Sequence, residues 1–169
     1  HPIYNLKQHS EPDINNYRTF VSLSYSNNES FVNRLIEEEK NNKIFERNNC
    51  RIIIKSKTFN FCSNGLIVFN KYLSEDEYFN LYNKSTCILS LLNDSFEYRI
   101  SGTMIDAISA EKQIITLNTR CAEYYKIIFP NYFPDSIISQ LDLIHVKYIN
   151  YNNSIDSGYL LVNKKIHLE

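Results

Sequence analysis

The sequence has no tryptophan, one methionine, four prolines and only three glycines, at positions 65, 102 and 158. With so few, each glycine is expected where the backbone has a specific need for it. No apolar run is long enough to span a bilayer as a helix, and nothing at the start reads as a secretory signal. Cys50, Cys62, Cys87 and Cys121 make no Cys-x-x-Cys pair and have no metal-ligand spacing. That excludes an evident metal site and argues against a disulfide framework, so a reducing cytoplasm is the expected setting. Excess charge is missing too: a net charge of −1 leaves no concentrated basic surface, and nucleic acid is not an expected partner.

What is present is globular. The 169 residues are 43% hydrophobic and 22% charged, enough for one domain with a sizeable core. Aromatics make up 14% and read chiefly as packing groups. Residues 1–17 are polar, carry Pro2 and Pro12 and show no periodicity, which predicts a linker entering the domain. The chain opens on His1-Pro2 without methionine and reads as a piece of something longer, while Leu168-Glu169 reads as a tag remnant.

Between these ends, strands and helices alternate. Residues 19–25 are β-rich, and the Ser/Asn turn that follows leads to a helix with Phe31, Leu35 and Ile36 inward and 37–43 mostly on the wet side. Residues 51–54 end in a compact Ile-Ile-Ile run, and 66–69 form a second such run after Asn64-Gly65, both marks of strands covered on two faces. Ser74-Glu75-Asp76-Glu77 has the pattern of a capping box opening a helix. Residues 87–92 and 113–117 read as further buried strands. Thr119 caps a helix that Pro130 ends, Pro134-Asp135 opens one more short helix, and 143–149 reads as a last strand. The predicted fold is α/β: a Rossmann-like parallel sheet flanked by helices over 18–150, with a tail of uncertain structure over 151–167.

The chemistry gathers in one stretch, Phe96-Glu97-Tyr98-Arg99-Ile100-Ser101-Gly102-Thr103-Met104-Ile105-Asp106. A small-residue turn opening a helix presents free N–H groups and a partial positive charge, which suit a phosphate. Ligands of open parallel sheets bind at the carboxyl ends of the strands, where this loop falls. Arg99 can neutralise a diphosphate, the amides of Gly102 and Thr103 can hold its oxygens, and Asp106 can accept hydrogen bonds from sugar hydroxyls. Lys55, Lys57 and Lys71 fall at or just beyond two other strand ends. A plainer reading of the same residues makes Ser101 an N-cap, Arg99 a solvated side chain and Asp106 a charge on an exposed helix face.

The run from Gly65 through Leu117 resembles the donor-binding half of a GT-B glycosyltransferase, of the large class related to the retaining family 4 and glycosyltransferase group 1 enzymes. The resemblance lies in Phe69-Asn70-Lys71-Tyr72-Leu73-Ser74-Glu75-Asp76-Glu77-Tyr78-Phe79, Ile88-Leu89-Ser90-Leu91-Leu92, the loop Asp94-Ser95-Phe96-Glu97-Tyr98-Arg99, and Ser101-Gly102-Thr103 followed by Asp106-Ala107-Ile108-Ser109-Ala110 leading to Ile114-Ile115. His1-Pro2-Ile3-Tyr4 is similar to the segment leaving the acceptor domain in that class. The resemblance implies a bacterial enzyme of polysaccharide or glycoconjugate synthesis that moves a sugar from a UDP- or GDP-linked donor to an acceptor hydroxyl, with no cofactor and no obligatory metal. It implies an N-terminal acceptor domain as partner, and a cytoplasmic protein with peripheral association at the inner face of the membrane. By match to the family motif, Ser101, Gly102 and Thr103 hold the diphosphate with Arg99. Asp106 binds the ribose, Glu97 is the catalytic acid residue near the donor sugar, and Asn70, Lys71 and Tyr72 meet the base.

Three departures stand in the sequence. The family's paired acids are one residue closer together than Glu97 and Asp106, and its Gly-x-Pro is here Glu111-Lys112-Gln113. The loop 22–30 also contains neither Lys nor Arg. A non-catalytic, degenerate Rossmann-like interaction module is the alternative. A receiver-type phosphoacceptor domain is disfavoured, because no acidic pair follows the first strand.

Overall fold

The computed structural model describes residues 18–93, 95 and 100–133. The expected linker over 1–17, the helix at 134–135, the strand over 143–149 and the tail all lie outside the described residues, as do Asp94, Glu97 and Arg99.

The described chain runs β1 (Arg18–Ser22), α1 (Glu29–Asn42), α2 (Ile44–Arg47), β2 (Cys50–Lys55), β3 (Phe61–Cys62), β4 (Leu66–Phe69), α3 (Glu75–Lys84), β5 (Cys87–Ser90), α4 (Gly102–Ser109), β6 (Gln113–Thr116) and α5 (Arg120–Ile128), then a 3-10 turn, Pro130–Tyr132. The strands form one six-stranded sheet in the order β3-β4-β2-β1-β5-β6. All pairs are parallel except β3 with β4, which is antiparallel at the edge. This is the α/β, Rossmann-like sheet that the alternation of elements predicts.

Pleating explains the strand sequences. Successive side chains point to opposite faces, so a strand covered on both sides has no polar alternate. Phe20, Ile52, Ile54, Leu66, Val68, Cys87, Leu89 and Ile115 join one cluster, against Phe31, Val32, Leu35 and Ile36 of α1 and Phe45 of α2. Val21, Ile53, Ile88 and Ile114 join the other, with Tyr82 of α3, Met104, Ala107 and Ile108 of α4, and Cys121, Ala122 and Tyr125 of α5. Each fully buried aliphatic side chain contributes roughly 1.5–3 kcal/mol to folding. Cys50, Cys87 and Cys121 are buried in this core, whereas Cys62 is exposed.

The helices start where local chemistry says they should. Asn28 caps α1 by accepting from Phe31 N at 3.1 Å. Ser74 and Glu77 form the predicted capping box on α3, and Thr119 caps α5 through Ala122 N.

Two features differ from the sequence reading. Glu39, expected on the wet side of α1, is buried: its carboxylate accepts from Phe45 N at 2.9 Å and Ser63 Oγ at 3.1 Å, closing the corner between α1 and α2. Gly65 is required by space rather than by φ, which is not positive there. A Cβ at that position would run into Glu46 N and the Glu39 carboxylate. No described helix is long and apolar enough to cross a membrane.

Candidate functional site at the carboxyl edge of the sheet

The chain begins in the middle of the sheet, steps outward through β2 to β4, then returns by α3, which packs across β1, to start β5 on the other side. Strand order therefore reverses between β1 and β5. In open α/β sheets a crevice opens at such a reversal, outside the carboxyl ends of the strands. The loops after β1, β2, β4 and β5 all arrive at that edge.

At the reversal itself the two loops are clipped together. Asn28 N donates to Leu91 O at 2.6 Å, and Asn27 forms an antiparallel bridge with Leu92. The buried Asn27 side chain accepts from Ser22 Oγ at 2.8 Å and donates to Ser22 O at 3.1 Å and Lys55 O at 2.8 Å. Asn27 thus ties the ends of β1 and β2 together at the reversal. The adjoining start of α1 is filled by its own acid, since Glu29 accepts from Ser56 Oγ at 2.6 Å and Lys57 N at 2.9 Å.

The start of α4 is different. Ser101 is buried and acts as N-cap: its Oγ accepts from Met104 N at 3.3 Å, and its N–H donates to Tyr125 Oη at 3.3 Å. The N–H of Ser101 and an acceptor position of its Oγ are therefore engaged inside the protein, on the residue that the resemblance assigns to a diphosphate. The N–H groups of Gly102 and Thr103 have no protein acceptor among the described residues, and both residues are half-buried. Of the five described α-helices, α4 alone carries no acidic residue in its first turn. Its N-terminal partial charge is thus not offset by an acid of its own first turn.

Asp106 does not lie on an exposed face, as the plainer sequence reading has it. It sits one turn into α4 on the side turned to α3, where Oδ2 accepts from Tyr78 Oη at 3.2 Å. Burial pushes the Asp106 carboxyl up, with the Tyr78 hydrogen bond pulling the other way. Burial and the neighbouring Asp106 charge push the Tyr78 phenol up as well, so it stays a donor. Tyr82 stacks on Tyr78 with ring centroids 5.4 Å apart and donates to Thr103 O at 3.1 Å. The seam between α3 and α4 is thus built from two tyrosines, one carboxylate and the carbonyl of Thr103.

At the end of β4, Asn70 N donates to Asn60 Oδ1 at 3.1 Å, and Lys71 Nζ is paired with Glu77 at 2.8 Å. Tyr72 projects into solvent, 86% exposed. Its ring centroid lies 5.5 Å from Lys55 Nζ, which also lies 5.7 Å from the ring of Tyr25; Lys57 Nζ is 4.7 Å from the same Tyr25 ring. The structure therefore brings Tyr72 together with Lys55, and Lys57 with Tyr25. It commits Lys71 elsewhere, and it places Gly102, Thr103 and Asp106 at the neighbouring helix start.

Sequence reasoning gave neither Tyr25 nor Tyr78 a role at the site. Tyr25 carried a signal, as the one aromatic in a Ser/Asn loop. Tyr78 carried none beyond a helical position, because its partner is 28 residues away.

A hollow of about 520 Å³ lies at the opposite, amino edge, between the end of α1, α2 and β3. Its carboxylates are committed: Glu39 to Phe45 N and Ser63, Glu46 to Asn64 Nδ2 at 2.7 Å. It offers geometry without unspent chemistry. Among the described residues, no three His, Cys, Asp or Glu side chains gather as metal ligands. Compared with known proteins, the chain matches no protein-family model and no curated protein.

Proposed function

We propose that this chain is the nucleotide-sugar-binding half of a two-domain glycosyltransferase, taking a UDP- or GDP-linked sugar at the carboxyl edge beside the strand-order reversal. The observation that carries the reading is the start of α4, which has two open amides, no acid of its own, and a place where parallel sheets bind ligands. The order of motifs from Asn70 to Asp106, similar to that of GT-B donor domains, supports it.

On this reading the diphosphate lies against the amides of Gly102 and Thr103, with Arg99 added from the adjoining loop. Ser101 is a positioning residue: its cap fixes the direction of those amides. Negative charge grows on the leaving diphosphate during transfer, and donors already aimed at it stabilise that charge without reorganising. Asp106 takes the ribose by sharing its carboxylate between Tyr78 Oη and a sugar hydroxyl. Glu97 stands near the donor sugar. The acceptor comes from a second domain, so the chain alone binds donor without turning it over.

Titration calorimetry with UDP, GDP and their sugar conjugates tests this. The expected result is weak binding, of the order of 0.1–1 mM, that Asp106→Asn weakens several-fold. No heat with any nucleotide would contradict the reading and leave the interaction module as the better account. That second reading has one observation in its favour, the engagement of Ser101 and Asp106 within the protein.

A further inference from the structure

The described lysines differ in their partners. Lys40, Lys43 and Lys71 each pair with a glutamate. Lys55 and Lys57 have no carboxylate partner among the described residues. The neighbouring acid, Glu29, is spent on Ser56 Oγ and Lys57 N. Both ammoniums rest instead on tyrosine faces, at cation–π distance. Those rings are open to solvent, Tyr25 by 65% and Tyr72 by 86%.

The strand order makes this convergence. β2 lies between β4 and β1, so Lys55 at its end, opposite Phe69 of β4, reaches Tyr72 on one side and the β1–α1 loop on the other. Two exposed tyrosine rings and two cations with no carboxylate partner among the described residues then meet within reach of one small ligand.

We propose that Tyr25, Lys55, Lys57 and Tyr72 form a cradle for the base end of the ligand, with the base stacked on the tyrosines and the two ammoniums adding positive charge on the side of its phosphates. The proposal rests on the nucleotide reading above and assigns the end of the ligand far from α4. Every base presents a π-face, so stacking holds bases with little discrimination. The cradle therefore takes uracil and guanine alike, and the lysines favour the phosphorylated nucleoside over the free one.

The test is amide-resolved NMR of the full chain titrated with UDP, UMP, uridine and ribose 5-phosphate. It includes Tyr25→Ala, Tyr72→Ala, Tyr25→Phe, Tyr72→Phe and Lys55→Met. The expected result is that each alanine variant weakens UDP and UMP about 10-fold while each phenylalanine variant stays within about 2-fold, because the ring and not the hydroxyl makes the contact. Lys55→Met flattens the salt dependence, and ribose 5-phosphate binds more weakly than UMP. If UDP shifts only Gly102 and Thr103 and the alanine variants bind as wild type does, the cradle is overturned and the nucleotide reading stands. If wild type responds to none of the four at millimolar concentration, both are overturned.

Discussion

The α3–α4 seam and the Tyr25–Tyr72 patch are both built from tyrosines at the same edge of the sheet, yet they have opposite polar accounts. In the seam nearly everything is spent: Tyr78 on Asp106, Tyr82 on Thr103 O, Ser101 on Met104 N and Tyr125. In the patch, the rings face solvent and two ammoniums have no carboxylate partner among the described residues. A buried polar group left unsatisfied costs stability, so a satisfied network reads first as structure. Solvent-facing aromatics and unpaired cations contribute little to folding, so their convergence reads first as a surface for something else.

The contrast can be broken most sharply at Tyr82. Its ring is fully buried between α3 and the sheet, so Tyr82→Ala should cost about 3–5 kcal/mol in denaturant unfolding. Tyr25→Ala and Tyr72→Ala should each stay within about 0.5 kcal/mol of wild type by the same measurement. A comparable loss at Tyr25 would place the patch among the structural elements. Ser101→Ala should cost about 1 kcal/mol by removing the cap of α4, and should also disorder the two open amides, seen as faster hydrogen exchange at Gly102 and Thr103.

The smallest effect is at Asp106. Its folded pKa is raised by burial, so the folded protein holds that proton more tightly than the unfolded chain. The contribution is most favourable below the ordinary carboxylate value of 3.8 and is lost as pH rises through the raised folded value. Asp106→Asn keeps an acceptor for Tyr78 and carries no buried charge. It should therefore be at least as stable as wild type at pH 7, with the difference closing as pH falls below 4, checked by unfolding across pH. A variant clearly less stable than wild type at neutral pH would show that the ionised carboxylate supports the seam.

What was legible in the sequence was local. Asn28, Ser74, Ser101 and Thr119 cap helices through residues three positions away, and the Ile-Ile-Ile run of β2 declares a strand covered on both faces. What was not legible depends on partners far along the chain. Glu39 looked solvated because Ser63 and the missing Cβ of Gly65, which make room for it, come more than 20 residues later. Asp106 looked exposed because the rotation of α4 against α3 is set by packing. The two-residue β3 is too short to show a period. Tyr25, Lys55 and Tyr72 meet only because β2 is inserted between β1 and β4, an order that no local pattern states. The Ser-Gly-Thr turn offered Gly102 and Thr103 as candidate phosphate-facing amides, while the commitment of Ser101 to Tyr125 required the docking of α5.

The central claim is that a nucleotide binds at the carboxyl edge, against the open start of α4. Backbone amide spectra recorded while UDP is added read this residue by residue. The account predicts saturable shifts at Gly102 and Thr103, with Glu46 and Asn64 at the amino edge unmoved. Silence at Gly102 and Thr103 at millimolar UDP, or shifts confined to the amino-edge hollow, would contradict it.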